Sequence, residues 1–192
     1  MTTQAQRAET FTRLHVKGDP VILFNIWDAG SAAAVRDAGA QAIATGSAPV
    51  AMAQGYADGQ QIPLETALDN AKRIVSAVDL PVTLDFEGAY AVDPTGIADS
   101  TARALDCGVV GFNFEDQIVG GDGLHTIPDQ AARIEAMRKA CDAADIPAYI
   151  NARTDIFLKA PADMHDAAML EDAIARATAF QSAGASGFFA PG

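Results

Sequence analysis

Apolar and polar positions alternate along this chain in blocks of two kinds. Short apolar runs at 21–27 (VILFNIW), 42–47, 81–87, 109–115, 147–153 and 186–190 read as strands. Between them, helical candidates lie near 31–38, 64–78, 95–106, 128–143 and 168–182. Strand–helix alternation at this spacing predicts βα units around a parallel sheet. Pro63, Pro94 and Pro128 stand where a first-turn proline is tolerated, and Asp93 is a natural cap before Pro94.

The entrances to the strands carry a second order. "GDPV", "DLPV" and "DIPA" precede the first, third and fifth strands, aligning Pro20, Pro81 and Pro147. "DAGA", "DCGV" and "SAGA" precede the second, fourth and sixth, aligning Gly39, Gly108 and Gly184, which suit the left-handed residue that ends a helix. The repeat is thus a pair of βα units about 65 residues long. Four such pairs would close a ring. The prediction is a (β/α)8 TIM-type barrel of which residues 1–192 form one domain with the first six units. An open α/β sheet is the alternative fold. No G-x-G-x-x-G follows any strand, which argues against a dinucleotide fold.

Composition narrows the partners. Of the 192 residues, 49% are hydrophobic and 20% charged, a soluble globular balance, and no run approaches the ~18 apolar residues of a membrane span. The start lacks the basic head and apolar stretch of a secretory signal, so a cytoplasmic location is expected. A net charge of −12 argues against nucleic acid and makes an anionic substrate awkward unless a cation or an arginine is supplied locally. Cys107 and Cys141 fall in helical patterns and read as free thiols.

In a parallel βα barrel, chemistry gathers at the carboxyl ends of the strands, and side chains two apart share a face. That rule aims Asp85 and Glu87 together, Asn113 with Glu115, and Asn151 with Arg153, with Asp155 following; Phe86, Phe112 and Phe114 turn toward the helices. The first two strands offer Asn25, Trp27 or Asp28, and Thr45 or Ser47. Asp85, Glu87 and Glu115 would then crowd one mouth, where like charges repel unless a cation sits among them. Oxygen donors without clustered His or Cys suit Mg2+, or Mn2+. Arg153 is a planar fork for a carboxylate or phosphoryl group. Two glycine-bearing loops, "AQGYADG" and "DQIVGGDGLHTI", border the same end; Gly120, Gly121 and Gly123 are candidate hinges of a lid.

Five stretches in order, "FNIWDAGSA", "TGSAPVAMAQGYADG", "LDFE", "GFNFED" and "INARTD", resemble the isocitrate lyase / phosphoenolpyruvate mutase superfamily from about residue 20 onward. The resemblance implies a Mg2+-dependent barrel that binds an α-oxo acid and stabilises its enolate while a C–C or P–C bond breaks or forms. By position, Asp85 would ligate the metal with Glu87 and Glu115 in its shell. Gly46 and Ser47 would receive the substrate carboxylate, Arg153 the oxo acid or its leaving group, and Asp58 would belong to a covering loop; Trp27 and Asn113 join the substrate-binding set. Position 87 is Asp in characterised mutases.

The gate departs from the family. Lyases carry K-[KR]-C-G-H with an acidic cysteine, whereas this chain reads "GGDGLH", with Gly123 at the cysteine's place. The asparagine of the mutase pattern is not reproduced, and Gln117 stands where lysine usually follows "ED". His125 is the remaining candidate acid or base. The expected function is a Mg-dependent lyase or mutase-type enzyme acting on a small carboxylate or phosphonate. The alternative is a degenerate barrel that binds an oxo acid without turnover. No inward lysine supports a Schiff-base aldolase, and no G-x-S-x-G a serine hydrolase. Six units leave open sheet edges, and the family assembles as dimers and tetramers, so a homo-oligomer is expected.

Overall fold

The computed structural model describes residues 2–192. In chain order the elements are α1 (Gln4–Arg13), β1 (Asn25–Ile26), α2 (Ala29–Asp37), β2 (Ile43–Thr45), α3 (Ser47–Ala53), α4 (Leu64–Ala77), β3 (Val82–Asp85), α5 (Pro94–Asp106), β4 (Gly111–Glu115), α6 (Ile127–Ala143) and β5 (Tyr149–Arg153). A 3-10 turn at Ala162–Met164, α7 (Ala167–Ser182) and β6 (Gly187–Phe189) complete it. The six strands are parallel and lie side by side in sequence order. Residues from all six line one cavity, so the sheet curls as an incomplete ring. These are consecutive units of the expected barrel, the sixth present as its strand. None of the described helices is long and apolar enough to cross a membrane.

Helix starts follow local chemistry. The Asp93 carboxylate accepts the Thr95 and Gly96 N–H groups ahead of Pro94, Thr126 caps α6, and Asp166 caps α7. Asp28, a sequence candidate for the site, instead accepts the Ser31 N–H (2.7 Å) as the cap of α2. The core lies between sheet and helices: Phe86, Phe112, Phe114, Ile150 and Ala152 point outward from the strands and pack on Ile97, Ile134, Met137 and Phe180. The alternation of "FNFE" therefore resolves as predicted, aromatics toward the helices and polar groups toward the ring.

Two helices had no sequence prediction. In α1, the Phe11 side chain is buried against Ala8, Ala42 and Val110, closing the amino-terminal end of the ring. Gln4 fastens α1 from outside by donating to the Leu105 and Val109 carbonyls (both 2.8 Å). The short α3 follows β2 directly and points its first N–H groups back at the ring. The strands are also shorter than the apolar runs, most of all β1, because neighbours pair only where both chains are extended.

Gly39, Gly108 and Gly184 all take left-handed φ (96, 92 and 105°), as their shared position predicted. They differ in surroundings: a Cβ on Gly39 meets nothing within 4 Å, while one on Gly108 would stand 2.9 Å from Val75 Cγ1. Gly39→Ala should therefore cost only the backbone term, about 1–2 kcal/mol, and Gly108→Ala measurably more. Urea unfolding of the two variants checks the order; equal losses would remove the packing contribution.

Candidate active site at the carboxyl ends of the strands

The register sorts the inward side chains into rows. Asp85, Asn113 and Asn151 are adjacent across β3, β4 and β5, and one row higher Glu115 lies beside Arg153 and Arg153 beside Phe189. Asp85, Asn113, Asn151 and Arg153 face a cavity of about 470 Å³ with Asn25 and Thr45 on its wall and Phe11, His15 and Tyr149 deeper in.

Asp85 is held from both sides. Its Oδ2 accepts the Ser47 N–H (2.9 Å), and its own N–H donates to Thr45 Oγ1 (2.8 Å). Its Oδ1 has only a long contact from Asn113 Nδ2 (3.4 Å), whose Oδ1 in turn accepts Asn151 Nδ2 (3.0 Å). One carboxylate oxygen is thus fixed in direction while weakly satisfied. The Ser47 N–H, assigned by resemblance to a substrate carboxylate, is here taken by Asp85.

Glu87 reaches the site by an irregular path. β3 ends at Asp85, and Glu87, Ala89 and Tyr90 all have positive φ (50, 57 and 57°). Such a run costs energy and persists because its surroundings over-determine it. Arg133, buried in α6, donates to the Gly88 (2.9 Å) and Ala91 (3.1 Å) carbonyls, while Gln60 accepts the Tyr90 N–H (2.5 Å). The Gln60 N–H also donates to Glu87 Oε2 (2.8 Å), tying the loop after α3 to the end of β3.

The electrostatics are unbalanced. Burial first, then the Asp58 and Asp85 charges, push Glu87 up to about 7. Burial pushes Glu115 up to about 8; Arg153 opposes this, while Asp155, Asp85 and Glu87 add to it. Arg153 offsets the rise only in part, because Asp155 holds its Nε (2.5 Å) and Nη2 (3.1 Å), leaving Nη1 to pair with Glu115 at 3.4 Å. Burial alone would lower the Arg153 pKa, but the Asp155 hydrogen bond and the Glu115 and Asp85 charges raise it. Among the described residues, no group of three or more His, Cys, Asp or Glu side chains is gathered closely enough to ligate one ion directly.

The other predicted residues spread around this centre. Gly46 is buried as the cap of α3, and its missing Cβ makes room for Pro49 and Asn25. Trp27 is exposed outside the cavity lining, its carbonyl accepting Asn70 Nδ2 (2.9 Å). Asp58 is exposed on its loop, near enough to raise Glu87. The half-buried His125 lies at the foot of α6, away from the cavity lining; burial, then Arg133, lower its pKa. The expected lid glycines serve turns: residues 117–124 form a small hairpin, with the Ile118 N–H on the Gly123 carbonyl (3.1 Å) and Gly120 and Gly123 at positive φ.

Three buried residues escaped the sequence reading although each left a trace. Asp116 continues the outward face of Phe112 and Phe114, where a carboxylate demands a partner. Arg133 lies on the α6 stripe of Gln130, Met137 and Cys141, and Arg176 on the α7 stripe of Ala173 and Phe180.

Comparison with known proteins places the chain among relatives. The family model described as phosphoenolpyruvate phosphomutase matches residues 11–192. An uncharacterised protein of Mycobacterium tuberculosis is 32% identical over 187 residues, 95% of this chain and 65% of the relative, so the chain spans about two thirds of its length. The crystal structure of a candidate phosphonomutase from Burkholderia cenocepacia is 44% identical with a TM-score of 0.96, covering 98% of this chain and 75% of that one. A 2,3-dimethylmalate lyase, described as a member of the PEP mutase/isocitrate lyase superfamily, is 27% identical with a TM-score of 0.84, covering 100% and 64%. A phosphonopyruvate hydrolase in complex with oxalate and Mg2+ shares the fold at 18% identity, with a TM-score of 0.85 and coverage of 96% and 62%.

The raised carboxyls set the pH dependence of stability in the metal-free protein. Their folded values, about 7 and about 8, exceed the ordinary 4.5, so their protonated forms favour the fold. That contribution is complete below about 4.5 and is lost as pH rises through 7 and 8. Thermal melts in chelator should show Tm falling from pH 5 to 8.5, with the buried Asp116 carboxyl, also raised, adding to the fall, and Glu115→Gln should reduce the slope. A Glu115→Gln melt with the wild-type slope would contradict the assignment.

Proposed function

Because the chain belongs to the phosphoenolpyruvate phosphomutase family, whose model matches residues 11–192, we propose that it is a Mg2+-dependent enzyme of lyase or mutase type. Its substrate is a small α-oxo acid or related carboxylate, and the reaction makes or breaks a C–C or P–C bond next to an enolate. The observation that carries the reading is the mouth itself: Asp85 with one weakly satisfied oxygen, two carboxyls driven upward by burial and mutual repulsion, and one arginine already bound to Asp155.

The donor set fits a divalent cation. Asp85, Glu87 and Glu115 offer oxygen donors alone, which suit Mg2+; they form no directly ligating trio, so this reading places waters between the ion and the two glutamates. Asp85 would hold it, with Glu87 and Glu115 accepting hydrogen bonds from its waters. When bound, Mg2+ supplies Lewis-acid stabilisation of the oxo-carboxylate oxygens.

The chain's own residues do the remaining work. Arg153, its fork set by Asp155, presents Nη1 to substrate oxygens and lends its charge to a developing enolate. Asn113 and Asn151 form a chain of amides that orients Asp85 and supplies polar wall to the cavity. Asp58 sits on a loop linked to Glu87 through Gln60, so this loop is the natural cover. Burial and Arg133 favour the neutral form of His125, the acid–base candidate beside the hairpin, which lies outside the cavity lining. No cysteine stands in the hairpin after β4, so this reading has no cysteine acid there.

The test is a panel of oxo acids, 2-alkylmalates and phosphonopyruvate, assayed for release of pyruvate, glyoxylate or phosphate with Mg2+ and after chelation. The reading expects Mg2+-dependent turnover of one panel member, lost by at least 10³-fold in Asp85→Ala, and competitive inhibition by oxalate. Oxalate binding without product across the panel would instead support a barrel that binds without turnover. Turnover that survives exhaustive chelation would overturn the metal reading.

A further inference from the structure

Beside the inward Glu115, Asp116 turns to the opposite face and is wholly buried. Its Oδ1 accepts the Asp155 N–H (3.0 Å) and its Oδ2 accepts Arg176 Nη1 (3.0 Å). Its backbone N–H donates to the Arg153 carbonyl (3.0 Å), and its carbonyl accepts the His125 N–H (2.8 Å). Arg176 Nη1 also donates to the His125 carbonyl (3.0 Å), while its Nε reaches Asp172 (3.3 Å). One buried ion pair therefore grips both loop roots at the site: the turn after β5, which carries Asp155, and the end of the hairpin after β4.

We propose that Asp116 and Arg176 are positioning residues for the Arg153 fork. The inference rests on the reading of Arg153 as the substrate clamp and adds what aims it. The route is short. Asp155 holds Nε and Nη2 of Arg153, so the direction of the fork depends on where the Asp155 backbone stands. That backbone N–H is fixed by Asp116 Oδ1, and Asp116 is in turn oriented by Arg176 from α7. Neither residue touches the cavity; both act through Asp155. Carboxylate and guanidinium are needed together, because a buried charge without its partner is costly and draws in water or shifts the backbone. The arrangement also makes the clamp depend on α7 being docked, which links packing on the outer face of the ring to geometry inside it.

A purely structural ion pair would predict a lower Tm and nothing more, so the test separates stability from aim. Asp116→Asn and Arg176→Gln are compared with Met137→Ala, a buried core change on α6 outside the hydrogen-bonded chain from Arg176 to Arg153. Two readouts are taken on the full chain: oxalate affinity in Mg2+ by calorimetry, and the Arg153 Nε–H resonance, which is shielded from exchange while Asp155 holds it. The proposal expects both pair variants to bind oxalate at least tenfold more weakly and to lose Nε–H protection. Met137→Ala should keep both at a comparable loss of Tm, and Arg176→Lys should recover part of each. If one pair variant does not fold, the other carries the comparison. Wild-type affinity and protection in either folded pair variant overturn the proposal. If the wild type binds no oxalate, the function reading fails, and the resonance alone still decides whether this pair aims Arg153.

Discussion

The structure is organised around a shortage of positive charge. Asp85, Glu87, Glu115 and Asp155 approach one end of the ring, and the arginine that faces them, Arg153, is bound on two of its nitrogens by Asp155. Burial then raises Glu87 and Glu115 into the neutral range rather than leaving them ionised. A fold could remove this stress by replacing the acids with apolar residues of similar volume, usually at no loss of stability. Keeping them makes sense where an ion or a substrate is to complete the set.

The barrel architecture creates the condition. Parallel strands deliver every second side chain to the interior, and the register brings Asp85, Asn113 and Asn151 level. Phe86, Phe112 and Phe114 occupy the other face and exclude water behind them. Rigidity comes from contacts outside the ring: Arg133 holds the left-handed turn after β3, and the Asp116–Arg176 pair holds the roots of the next two loops. The acids are close because they are tethered from behind.

Much of this was legible in the sequence. The alternation of "LDFE" and "GFNFE" gave the facing of Asp85, Asn113 and Glu115, and the shared glycines gave three helix ends. Glu87 was less legible, since period-two reasoning aims it correctly only by accident: the strand ends at Asp85, and a left-handed turn brings the carboxylate round. The helix α1 was missed because its one apolar anchor, Phe11, sits among polar residues, and tertiary packing rather than pattern decides its place. Gly120, Gly121 and Gly123, expected as lid hinges because their loop borders the strand ends, lie in a hairpin closed by backbone hydrogen bonds, which only the through-space pairing of Gln117 with Leu124 reveals. The family resemblance stands with the matched model over residues 11–192.

The most direct measurement is the proton balance of Mg2+ binding, by calorimetry in buffers of different ionisation enthalpy. If the two raised carboxyls surround the cation, binding near neutral pH should release roughly one proton, and affinity should climb with pH until about 8. Binding with no proton release and the same affinity from pH 6 to 8.5 would contradict the account.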